Sequence, residues 1–128
     1  MSYHFSTTLN TDFDTAIEKV TEELKKEGFG ILTQIDVQET LKKKLDVDFK
    51  KYKILGACNP HFAHQALLAE DTIGTMLPCN VIVREGENGK IEISAVDPVA
   101  SMMAITNDAL GKVANEVREK LSRVINNL

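Results

Sequence analysis

The chain has 128 residues, 43% of them hydrophobic, which is enough for one globular domain over 1–128 with a core of its own. Lys and Arg number 15 against 19 Asp and Glu, a formal charge of −4 with a pI near 5.4, which argues against neutralisation of nucleic-acid phosphates. No apolar run approaches the roughly 18 residues of a membrane span. The segment from Met1 to Thr8 has neither the basic nor the apolar stretch of a leader. A cytoplasmic protein is expected, with neither nucleic acid nor membrane as partner.

Tyr3 to Leu9, rich in Phe and Thr, reads as a first strand that runs into Asn10-Thr11-Asp12, a helix cap. Phe13, Ala16, Ile17, Val20 and Leu24 then recur at helical spacing, Lys25 and Lys26 close the last turn, and Gly28 stands where a left-handed residue ends a helix. Phe29 to Val37 reads as a second strand. It enters Asp36-Val37-Gln38-Glu39, a capping box for a short helix through Leu45. Lys42, Lys43 and Lys44, with Lys50, Lys51 and Lys53 downstream, form a solvated face interrupted by Asp46 and Asp48.

Tyr52 to Cys58 is the third strand, and Asn59-Pro60 ends it with an N-cap and a first-turn proline for a helix from Pro60 to Ala69. Thr75 to Glu85 reads as a long strand interrupted at Pro78, which cannot donate to a ladder. Gly86-Glu87-Asn88-Gly89 turns it back into Lys90 to Ala95, where Ile91, Ile93 and Ala95 alternate with polar residues. Asp97-Pro98 opens a turn carrying Met102 and Met103. A long terminal helix follows from Thr106 or Asn107, with its apolar stripe on Leu110, Val113, Val117, Leu121, Val124 and Ile125. The order strand, helix, four strands, helix predicts an α+β fold. Its curved antiparallel or mixed sheet carries the main helices on one face.

The chain's two cysteines occupy near-matching settings, Gly56-Ala57-Cys58-Asn59-Pro60-His61 and Leu77-Pro78-Cys79-Asn80-Val81. Thiolates bind metals, exchange disulfides and attack electrophiles, and a helix starting at Pro60 would favour a thiolate or another anion beside Cys58. Cys58, Asn59, His61, Cys79 and Asn80 are therefore expected to form a small polar pocket at one end of the sheet. That pocket would suit a small anionic or sulfur-containing ligand.

Cys58, Cys79 and His61, with His64 in reserve, are also a candidate set for Zn or Cu, although Cys-x₂-His followed by a lone Cys is not a zinc signature. A thiol-dependent enzyme or redox-responsive protein is a further alternative; a redox pair needs Cα atoms within about 7 Å. No glycine-rich phosphate loop, paired-carboxylate motif or Gly-x-Ser-x-Gly elbow is present. The leading expectation is a non-catalytic binding or assembly domain that forms a homodimer.

Four segments carry a family resemblance: Lys53 to Pro60, Ala63-His64-Gln65-Ala66-Leu67, Ile73 to Val81, and Ser94-Ala95-Val96-Asp97-Pro98. In that order they resemble a prokaryotic domain-of-unknown-function family, numbered 302. The resemblance implies an α+β fold similar to the TATA-binding-protein-like class, and it implies no reaction and no catalytic residue. Likeness of fold does not bring DNA binding with it.

Overall fold

The computed structural model describes residues 2–128, so of the expected domain only Met1 lies outside. The chain runs β1 (His4–Leu9), α1 (Phe13–Lys26), β2 (Gly30–Asp36), α2 (Val37–Leu45), β3 (Tyr52–Cys58) and α3 (Pro60–Ala69). It continues with β4 (Cys79–Glu85), β5 (Ile91–Val96), α4 (Pro98–Ser101) and α5 (Asp108–Asn126). The five strands form one sheet in the order β1-β5-β4-β3-β2, every pair antiparallel.

Strand alternation divides the sheet into two faces. Leu55 and Ala57 of β3, Val81 and Val83 of β4, and Ile93 and Ala95 of β5 point into the core. There they meet Ala16, Val20 and Leu24 of α1 and Val117, Leu121 and Val124 of α5. The intervening positions, among them Ile54, Ile82 and Asn80, lie on the other face.

Helices α1, α2 and α5 each begin where a side chain takes over an unpaired backbone amide. Asp12 accepts from the Thr15 N–H at 2.8 Å and from the Thr15 hydroxyl at 2.9 Å, which starts α1. Asp36 accepts from the Glu39 N–H at 3.0 Å to start α2, which is one half of the expected capping box, while the Glu39 carboxylate pairs with Lys43 at 3.0 Å. Asn107 accepts from the Ala109 and Leu110 N–H groups at 3.1 and 3.2 Å and so begins α5. Its amide also donates to the Ala69 carbonyl and the Glu70 carboxylate, tying the start of α5 to the end of α3.

Two expected elements differ. The long strand from Thr75 begins only at Cys79, and Asp71–Met76 is instead a 3₁₀ turn around buried Ile73. The Thr75 hydroxyl bonds the Thr72 carbonyl at 2.9 Å, and Pro78 has no amide to offer a ladder, so extended pairing starts one residue after the proline. The Asp97-Pro98 turn is the opening of α4, because the Asp97 carboxylate accepts from the Val99 N–H at 3.0 Å. Asp97 is buried and also accepts from Arg118 Nε at 3.1 Å, which joins the end of β5 to α5.

Candidate functional site: an apolar cavity beside the cysteine pair

One end of the sheet does not close completely against the helices. A cavity of about 340 Å³ lies there, with Ala57 and Cys58 of β3 and Cys79 of β4 in its floor. Phe62, Ala63 and Ala66 of α3 form one wall, and Val113, Ala114 and Val117 of α5 form another. Leu77, Pro98 and Met102 close the far end.

The volume follows from residue size. Alanines on α3 and α5 face one another across the gap where larger side chains would fill it, and packed interiors rarely leave voids much bigger than a water. Leu32 and Leu67 line the open side and are 67% and 42% exposed, so the mouth is apolar as well. Leu32 reaches that place because the β2–β3 register shifts between Ile31 and Thr33, which takes Leu32 out of the ladder.

The close approach of the neighbouring segments to β3 has a steric requirement at Gly56. A Cβ on Gly56 would run into the Thr33 hydroxyl and would lie 2.8 Å from the Pro78 ring. Only glycine lets β2 and the Pro78 segment approach β3 so closely.

Of the expected site residues, Cys58, Asn59 and Cys79 are brought together, and His61 and Asn80 are not. Asn80 neighbours Cys79 in β4, and alternation sends it to the opposite face, where it pairs with Gly56 and is exposed. His61 lies on the outer side of α3, exposed, with its Nε2 3.1 Å from the Gln65 amide nitrogen and its ring edge-on to Phe62. His64 is also exposed. Among the described residues no three His, Cys, Asp or Glu side chains gather in a way that would hold a metal ion.

Asn59 occupies the N-cap position of α3, yet its side chain makes no cap bond. Its Nδ2 donates instead to the Glu27 carbonyl at 3.1 Å, fastening the start of α3 to the turn after α1. The expected polar character is absent as well. Asn59 is the one amide side chain in a lining otherwise made of apolar side chains, cysteines and glycine, and no charged side chain contributes.

The two thiols are free and half-buried by exposure of the whole residue. Burial pushes the Cys79 thiol up to about 11 from 9.0, and the neighbouring Cys58 adds to the rise. Both effects penalise a thiolate at Cys79. Sequence reasoning placed the two cysteines at one end of the sheet. It missed the apolar walls from α3 and α5, whose only signal was the alanine pattern Ala63, Ala66 and Ala114.

The molecule is thus an α+β domain with an open five-stranded antiparallel sheet and an apolar cavity between sheet and helices. Residues 5–128 match the family model described as domain of unknown function DUF302, and the chain belongs to that family. A crystal structure of an uncharacterized conserved protein DUF302 from Bacillus stearothermophilus is similar to it, with 31% identity, a TM-score of 0.90 and 98% of each chain covered. No curated protein matches the chain. No helix among the described residues is long and apolar enough to cross a membrane.

Proposed function

We propose that this domain is a non-catalytic binding module whose small-molecule ligand occupies the cavity floored by Cys58 and Cys79. The observation that carries this reading is the cavity itself. At about 340 Å³ it lies within the size range of ligand sites and has an apolar lining with a single amide, the usual composition of such sites. It is more than twice the ~150 Å³ that accepts benzene in an engineered protein core. A thiol held protonated at Cys79 supports a binding role over nucleophilic chemistry at that residue.

The test is saturable binding of a neutral fluorescent probe such as N-phenyl-1-naphthylamine, with cavity-filling variants as controls. Ala66→Phe and the milder Ala63→Leu should each weaken binding by about tenfold or more while leaving a cooperative thermal transition, since both add bulk to the same wall. Binding that neither variant disturbs would place the probe elsewhere and defeat this reading.

A second reading, compatible with the first, is a homodimer joined through the open face of the sheet. It is favoured by the row Ile35, Ile54 and Ile82, cross-strand neighbours on the face away from α1 and α5, of which Ile35 is 48% exposed.

A further inference from the structure

The chemistry of the lining narrows the ligand class, and the following deepens the cavity-binding reading and rests on it. We infer that the cavity takes a neutral, mainly aliphatic molecule with one hydrogen-bond donor at its head, such as a medium-chain primary alcohol, and that Asn59 receives that donor.

Three observations lead there. First, the space corresponds to about a dozen water-sized or methylene-sized groups, so a chain of about eight to twelve heavy atoms fills it. Second, no cation lines it. Lys120 lies over the wall residue Phe62, with its Nζ 5.8 Å from that ring's centre, but it is not among the lining residues, and the Nζ is drawn to the Glu27 carboxylate at 3.8 Å. A carboxylate would therefore enter apolar surroundings without a counter-charge, a costly transfer.

Third, the orientation of the Asn59 amide is determined by its partner. The Glu27 carbonyl can only accept, so the atom facing it at 3.1 Å must be the Asn59 nitrogen. The other end of the amide, Oδ1, accepts no hydrogen bond among the described residues, either as a helix cap or from another side chain. It is also not sealed away, because no buried side-chain oxygen or nitrogen is left without a partner. Asn59 is the one amide among the lining residues, and the polar atom it leaves unpaired is an acceptor. An acceptor selects an O–H or N–H on the ligand and disfavours a carboxylate, which brings only acceptors of its own.

The deciding experiment compares three eight-carbon-scale competitors of N-phenyl-1-naphthylamine on the unaltered protein at about pH 8, where a free carboxylic acid is ionised. These are octan-1-ol, its isosteric ether 1-methoxyheptane, and octanoate, with amide NMR shifts at Cys58, Ala66 and Val113 locating the binding. The alcohol should bind about fivefold or more tighter than the ether and about tenfold or more tighter than octanoate, with shifts at all three positions. Equal binding of alcohol and ether would overturn the role of Asn59. Octanoate binding as well as the alcohol would overturn the neutral ligand class while leaving the cavity reading intact. Failure of all three competitors, without shifts at those amides, would overturn the cavity reading and this inference with it.

Discussion

Cys79 begins β4 with its thiol turned toward the core side of the sheet, whereas Cys58 ends β3 at the turn into α3. The lift of Cys79 to about 11 comes first from burial and then from Cys58, so near neutral pH almost none of it is thiolate. Alkylation with iodoacetamide at about pH 8 should therefore label Cys58 well before Cys79, as read by peptide mass spectrometry. Equal rates would mean that the cavity is wetter than its lining implies. The same shift has a consequence for stability. A thiol whose folded value lies above its unfolded 9.0 stabilises the fold fully below pH 9, and that contribution is lost as pH rises toward about 11. Cys79→Ala should flatten this alkaline decline in thermal unfolding; a decline of unchanged slope would assign it to other groups.

At the scale of elements, the α1–β2 turn is the junction that positions the site. Glu27 gives its carbonyl to Asn59 of α3, while its carboxylate accepts from Arg123 Nε and Nη2 at 3.2 and 3.0 Å. The Arg123 hydrogen bonds hold the Glu27 carboxyl below the usual carboxylate range, against a smaller opposing effect of burial, and Lys120 assists. Arg123→Ala should lower the melting temperature near pH 7 by about 2–4 °C, since half of the Arg123 side chain is exposed and water screens the pair. The sign follows from the depressed carboxylate. Its contribution is present above the unfolded value of 4.5 and is lost as pH falls through the lower folded one, so wild type and variant should converge in acid. A constant gap down to about pH 2 would indicate lost packing of the arginine stem instead. These helices were legible in the sequence because caps and apolar periodicity are local. The start of β4 was not, because Asp71–Met76 takes its 3₁₀ form from the burial of Ile73 among Ala66 and Leu110, contacts made by distant parts of the chain.

Across the whole molecule, the sheet has one face buried under α1 and α5 and one face carrying the Ile35, Ile54 and Ile82 row. If two copies meet there, light scattering should report a dimer whose dissociation is promoted by Ile54→Lys, a change on the face away from the core. A monomer over the full accessible concentration range would end the dimer reading and leave the cavity reading untouched.

Strand order could not be written from periodicity alone, which left antiparallel and mixed sheets open; register and pairing resolve it as antiparallel throughout. The family resemblance rested on contiguous motifs and was carried correctly by sequence, as was the position of both cysteines at element ends. What sequence by itself determined, then, was the α+β class, the sequence of elements, their caps and the family, all properties of neighbouring residues. Tertiary structure alone decided that Asn59 turns from capping α3 to the Glu27 carbonyl, that His61 and Asn80 face away, and that the space at the cysteines is apolar. Those outcomes depend on which faces of α3, α5 and β4 meet, and that is set by contacts between residues far apart in the chain, as between Glu27 and Asn59 or Glu27 and Arg123, which no local pattern encodes.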